Sequence, residues 1–183
     1  GKIARAPLME DPHTRFRYSE ATTVLGRLVE VWSGEGFDRF LARRIFQPLG
    51  MDDTVFHVEG ERRLRLATVY GPAPGGGLVP VEIEAVPFTE RPALLEGAVG
   101  LVSSVPDFLR FSQMLLDGGT LGGVRLLTAE TAARMTANGL PDDVLRARGG
   151  RMGWGLANVN VLIDASGTTA SPGEYGWDGT AGT

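Results

Sequence analysis

The chain of 183 residues contains no cysteine. That excludes disulfides, zinc–thiolate centres and a cysteine nucleophile within it. Lysine is nearly as scarce, since Lys2 is the only one and the other seventeen of the 18 basic residues are Arg. Histidine appears only at His13 and His57. No HExxH, no histidine-rich cluster and no GxSxG elbow is present. Neither a metal centre nor a Ser-His-Asp triad is indicated, and both imidazoles read as surface or capping groups. No cofactor is called for. Long apolar runs are missing too, so no segment spans a bilayer, and no signal peptide stands at Gly1. A formal charge of -4 gives no electrostatic reason to expect nucleic acid or an anionic membrane as a partner. With 43% hydrophobic and 22% charged residues, the composition fits a globular chain of one domain or two tightly joined lobes.

The stretch that organises what remains is Arg15-Phe16-Arg17-Tyr18-Ser19-Glu20-Ala21, running into Thr22 to Gly34. Ser19 is a good helix N-cap, because its hydroxyl can accept from an unpaired first-turn amide. Glu20 favours the positive end of the helix dipole. Leu25, Leu28, Val29 and Trp32 then fall at i, i+3, i+4 and i+7, which predicts one buried stripe. Gly34 is the stop signal. Tyr18 thus stands on the turn before a helix that a core holds rigid.

A second helix is predicted over Phe37 to Gln47, with Phe37, Phe40, Leu41 and Ile45 on one side, ended by Pro48-Leu49-Gly50-Met51. Asp52-Asp53 reads as a turn cap rather than a metal site, leading into a short extended piece through Phe56. The segment Gly71 to Gly77 reads as an irregular surface loop, and Val79 to Val86 alternates as an edge strand does. Ser104-Val105-Pro106-Asp107 caps a helix from about Pro106 to Leu116. Thr128 begins another through Met135. Pro141 to Gly150 is expected as a loop. Trp154 to Ile163 is expected as one strand and Glu174 to Thr183 as the start of the next. Trp32 and Trp154 read as core residues, with an acyl pocket as their alternative use. Helices gathered apart from antiparallel strands give an α+β fold. The chain divides into 1–70, mainly a helical lobe with Tyr18, 71–96, a loop or insert, and 97–183, helices and then sheet strands.

Five pieces in order carry a resemblance. They are Tyr18-Ser19 before Val24-Leu25-Gly26; Pro48 to Thr54; Gly97-x-x-Gly100-Leu101-Val102-Ser103-Ser104 with Asp107, Phe108 and Phe111; Leu115 to Gly119; and Gly176-Trp177-Asp178-Gly179-Thr180. Together they resemble the serine β-lactamase-like superfamily, nearest the class C β-lactamase and family VIII carboxylesterase branch. That branch is also home to D-amino-acid peptidases and penicillin-binding-protein-like hydrolases.

The resemblance implies a β-lactamase/transpeptidase-like fold, incomplete in this chain, and a hydrolase that works through an acyl-enzyme. A serine in S-x-x-K would be its nucleophile, and a tyrosine its partner base. By that likeness Tyr18 holds the tyrosine position. Trp177-Asp178-Gly179 holds the strand motif that lines the site, and the Thr180 backbone N–H is one oxyanion-hole donor. Tyr18 and Trp177 are then expected to face one cleft, with the Asp178 side chain alternating away from it. No S-x-x-K exists in these residues, so the nucleophile, its lysine and the second oxyanion donor are expected before Gly1. Glu20 stands where the lactamase pattern has Asn, and Trp177 where it has a cation. Both changes weigh against a β-lactam or a peptide C-terminus and toward neutral esters. The leading expectation is an esterase on short acyl esters. A β-lactamase or D-amino-acid peptidase stays open, as does a non-catalytic, penicillin-recognising-like binding domain. The partner is a small ester or amide.

Overall fold

The computed structural model of the protein describes residues 3–81 and 88–179. Two compact units emerge, one of residues 1–19 with 129–177 and the other of 20–128 with 178–183. Tyr18 therefore groups with the sheet and not with the helices that follow it.

The helical unit begins with α1 (Ala21–Ser33). Its start differs from expectation. Glu20, not Ser19, is the N-cap residue, and no side chain caps the first turn. The end is as expected, with Gly34 left-handed at φ 70° and its N–H donating to the Glu30 carbonyl. The predicted stripe is not buried, because Leu25 is exposed and Trp32 is 78% exposed. The face that packs instead is marked by Gly26, the helix's buried residue. A Cβ there would meet the Phe37 ring at 3.2 Å and the Gly97 amide at 3.3 Å, and a Cβ on Gly97 would lie 2.3 Å from the Thr22 carbonyl. These two glycines let α1 lie directly against the 97–100 segment, an approach that a Cβ on Gly97 would prevent and that a Cβ on Gly26 would crowd by a few tenths of an ångström. Periodicity marks apolar faces but not a helix face chosen for smallness.

The next helix is continuous but not uniform. Its α2 part (Phe37–Leu41) passes through a π-helical turn over Ala42–Phe46 into α3 (Gln47–Leu49). The π turn brings Phe46 and Leu49 into a buried cluster with Met51 and Met114, packed against Leu41, Ile45, Phe111 and Leu127 among others. Met114 is 1% exposed, and burying such a side chain contributes about 1.5–3 kcal/mol. Gly60–Arg65 forms a 3₁₀ turn. The Asp53 carboxylate takes a two-pronged ion pair from Arg65 at 2.8 and 2.6 Å, and Arg65 holds its carboxyl below the ordinary range. The Asp53 side chain thus ties the 52–54 turn to the 3₁₀ turn by an ion pair, where the sequence suggested a turn cap.

The glycine-rich stretch is more regular than expected. β1 (Tyr70–Pro72) pairs antiparallel with β2 (Leu78–Pro80), and Gly75, Gly76 and Gly77 turn between them. The expected strand from Val79 continues into 82–87, outside the described residues. α4 (Val105–Leu116) is capped as expected by Ser104, whose hydroxyl accepts from the Asp107 amide. Asp107 itself turns inward. One of its oxygens accepts from the Asp53 N–H and the Thr54 hydroxyl, both at 2.8 Å. Because Thr54 gives its only proton to Asp107, the Ser103 hydroxyl 2.8 Å away is the donor to Thr54. Val55 and Val102 bridge beside this network. The Asp53-Thr54 and Ser103-Ser104 motifs are thus two halves of one buried lock. A small hairpin, β3 (Thr120–Leu121) with β4 (Val124–Arg125), closes the unit.

The second unit contains α5 (Ala129–Thr136), α6 (Asp142–Ala147) and an antiparallel sheet in the order β5 (Met152–Trp154), β6 (Asn160–Leu162), β7 (Tyr175–Gly176). The expected loop over Pro141 to Gly150 is therefore mostly helix. Asp142 and Asp143 begin it, Arg146 ends it, and Val144 is its buried anchor. The long strand expected from Trp154 is a hairpin instead. Gly155 donates to the Val159 carbonyl, and Asn158 takes φ 57° to turn the chain. Asn is one of the few residues that adopts this conformation cheaply. β7 ends at Gly176, so strand alternation does not extend to Asp178.

Candidate active site

The segment before α1 is held by charge on one side and by rings on the other. Arg17 forms a two-pronged ion pair with Glu10, which keeps the Glu10 carboxyl below its ordinary range. Phe16 and Tyr18, on either side of Arg17, both reach Trp154. The Phe16 and Trp154 ring centroids are 5.0 Å apart, and Tyr18 meets Trp154 edge-on at 6.2 Å. Trp177, just past β7, completes the group. It stacks on Tyr18 at 5.0 Å with the planes 26° apart and meets Trp154 edge-on at 5.1 Å. Such offset-stacked and edge-to-face pairs each contribute about 0.5–1.5 kcal/mol beyond area burial. All four rings belong to one unit.

Trp154 is the hub, and its backbone is pinned on both sides. Its N–H donates to the Asn138 side-chain oxygen at 3.1 Å, and its carbonyl accepts from the Gly139 N–H at 2.8 Å. The Asn138 side chain packs against Gly153, where a Cβ would come within 2.4 Å of that oxygen. Gly153→Ala is therefore expected to displace Asn138 and release Trp154. The expected cost is about 1–3 kcal/mol, seen as a lower melting temperature with a red shift of tryptophan emission.

Of the residues singled out in the sequence, Tyr18 and Trp177 come together. Glu20 belongs to the other unit, where its carboxylate accepts from the Thr23 hydroxyl at 2.9 Å. Gly179 is exposed and outside any strand, and Thr180 lies outside the described residues. Trp32 is on α1 and takes no part. Trp154, read as a core residue, is the centre of the aromatic group. Sequence reasoning missed Phe16 and Arg148. The Phe16-x-Tyr18 spacing was a signal for the first. Arg148 is the C-cap of α6, the helix that its Asp-Asp start and Arg146 end could have revealed.

The group offers a phenol whose ring is fixed by two indoles, with an apolar wall beside it. Tyr18 remains 65% exposed. The family profile described as Beta-lactamase matches residues 1–183. The chain belongs to this family. Protein Rv1367c of Mycobacterium tuberculosis is 32% identical over 192 residues, covering 95% of this chain and 47% of its own. The chain thus spans about half the length of the curated relatives it matches. Among solved structures, EstCE1, described as a hydrolase with promiscuous acyltransferase activity, is similar at a TM-score of 0.78 and 28% identity. That match covers 93% of this chain and 47% of EstCE1. The D-amino acid amidase of Ochrobactrum anthropi SV3 shares the fold at a TM-score of 0.59 and 22% identity, a match that covers 90% of this chain and 44% of the amidase. The β-lactamase/transpeptidase-like fold expected from the sequence is therefore the fold of this chain, and its family is one of serine hydrolases.

Proposed function

We propose that the full-length protein is a carboxylesterase on short acyl esters, with Tyr18 as general base toward a serine nucleophile. The observation that carries this reading is the stack of Tyr18 on Trp177 at 5.0 Å. It joins the residue at the family's tyrosine position to the residue at its W-x-G position. A serine hydroxyl attacks an acyl carbon only as a base takes its proton, and a positioned phenolate is such a base. Trp177 in place of a cation, with Trp154 beside it, gives an apolar wall suited to an ester's acyl or alcohol group. By the family likeness alone, Thr180 holds the position of an oxyanion-hole N–H, Gly179 belongs to the same strand motif, and Glu20 stands where the family pattern has Asn. A carboxylate at that position repels a second carboxylate, which favours esters over peptide C-termini. The likeness to EstCE1 supports the same reading.

The test is turnover by the full-length protein. Hydrolysis of 4-nitrophenyl butyrate is expected to exceed hydrolysis of nitrocefin at least 100-fold in kcat/KM. The reverse order would make it a β-lactamase, and no turnover of either would favour a binding domain.

A further inference from the structure

Trp154 lies on an edge strand. Among the described residues, the sheet order β5-β6-β7 gives β5 a partner strand on one side only. Both backbone groups of Trp154 are turned to the other side, where one side chain and one amide stand in for a strand. Oδ1 of Asn138 accepts from the Trp154 N–H at 3.1 Å, and the Gly139 N–H donates to the Trp154 carbonyl at 2.8 Å. Asn138 is itself tied down. Its Oδ1 also accepts from the Leu140 N–H at 3.1 Å, and its Nδ2 donates to the Leu140 carbonyl at 3.2 Å. Two N–H groups on the oxygen and a carbonyl on the nitrogen fix which way the amide points. The glycines on either side of Trp154 make this fit possible. A Cβ on Gly153 would meet the Asn138 side chain, and one on Gly155 would lie 2.5 Å from the Met135 carbonyl in the last turn of α5. The end of α5 is thus seated on Gly153-Trp154-Gly155, and Asn138 is the side chain that joins them.

What Trp154 holds in turn is the phenol. Among the described residues the Tyr18 side chain meets the indoles of Trp154 and Trp177 and makes no hydrogen bond, so the indoles are what places it. Trp177 lies past the end of β7 and meets Trp154 edge-on. Phe16 meets Trp154 as well, and the Arg148 guanidinium carbon lies 4.0 Å from the Phe16 centroid and 5.9 Å from that of Trp154. Each of the other three rings therefore rests on Trp154. We propose that Asn138 is the positioning residue of this site: by holding the Trp154 backbone, it sets where the Tyr18 phenol stands. The inference rests on the reading of Tyr18 as general base and goes beyond it. A misplacement of about 1 Å can cost about 10²-fold in rate. The effect of Asn138 on the chemical step then passes through Tyr18 and vanishes when the Tyr18 hydroxyl is gone.

The test is a double-mutant cycle in the full-length protein, with 4-nitrophenyl butyrate as substrate. Asn138→Ala is expected to lower kcat about 10–100-fold. In a Tyr18→Phe background, where the ring lacks the reacting oxygen, the same change should lower kcat less than about 3-fold further. Any rise in KM from a loosened Trp154 wall should be alike in both backgrounds. Asn138→Asp keeps an acceptor for the Trp154 N–H and loses only the donor to Leu140, so it should recover part of kcat. Equal losses of kcat in the two backgrounds, or no loss in either, overturn the proposal. If Asn138→Ala does not fold, Gly153→Ala displaces the same side chain and takes its place in the cycle, with the same expectations. A second readout needs no turnover. The near-UV circular dichroism of the packed rings should collapse in Asn138→Ala while the far-UV spectrum stays, and an unchanged near-UV signal overturns the proposal equally. If no ester is hydrolysed but the near-UV signal depends on Asn138, the esterase reading fails and the positioning of the ring stands. If esters are hydrolysed and Tyr18→Phe lowers kcat, yet Asn138→Ala changes neither kcat nor the near-UV signal, the positioning fails and the esterase stands.

Discussion

Replacing Tyr18 by Phe is expected to reduce kcat for ester hydrolysis by the full-length protein about 10²–10⁴-fold, the usual range for a lost general base. The change removes a single oxygen. The Phe ring still stacks on Trp177 and meets Trp154, so the aromatic group should persist. At 65% exposure the hydroxyl is not a buried donor whose loss unbalances the core. The melting temperature should therefore stay within about 2 °C of the wild type, a fraction of a kcal/mol for a domain of this size. KM should change little, because a proton acceptor acts mainly in the transition state. Measuring kcat and melting temperature on the same preparations separates the two possible roles. A protein that retains its kcat and loses stability would mean that Tyr18 only packs, and the proposed mechanism would lose its base.

The sequence made this residue visible for reasons that the fold now explains only in part. The family motifs were legible because each occupies a place where few residues fit. Gly97 meets the Thr22 carbonyl at a distance that excludes a Cβ, and Gly26 meets the Phe37 ring and the Gly97 amide at distances that leave little room for one. Asp53-Thr54 and Ser103-Ser104-Val105-Pro106-Asp107 were legible as a turn and a capped helix, and the structure joins them through the Asp107 carboxylate. Their hydroxyls and carboxylates are thus structural rather than chemical. Periodicity did worst where a helix packs by a glycine, as α1 does, since a missing side chain leaves no mark on an apolar pattern. It also misread short elements. The six residues of α6 are too few to show a helical period, and the turn at Asn158 is hidden inside an apolar run. The aromatic group lay beyond any local pattern. It joins Phe16 and Tyr18 to Trp154 and Trp177, more than a hundred residues further along the chain, so only tertiary structure brings Phe16 beside Trp154.

The second large effect expected is on folding rather than chemistry. Asp107 is 6% exposed, and its Oδ2 accepts from both the Asp53 N–H and the Thr54 hydroxyl. Asp107→Ala removes that oxygen and leaves two donors in a region where water has little access. An unmet buried donor costs about 1–3 kcal/mol. The Thr54 hydroxyl recovers some of this by turning toward Ser103, 2.8 Å away. The backbone N–H of Asp53 cannot turn. A net loss of about 2–4 kcal/mol follows, or roughly 4–16 °C in melting temperature at 2–4 °C per kcal/mol. Asp107→Asn keeps one acceptor oxygen of nearly the same shape, so it should recover about half of the loss. Ser104→Ala, which removes only the α4 cap, should cost about 1 kcal/mol. If the buried lock is real, the order of stability is wild type, Ser104→Ala, Asp107→Asn, Asp107→Ala. Asp107→Ala no less stable than Ser104→Ala would mean that the carboxylate serves only as a first-turn helix charge and that the two motifs are not joined through it.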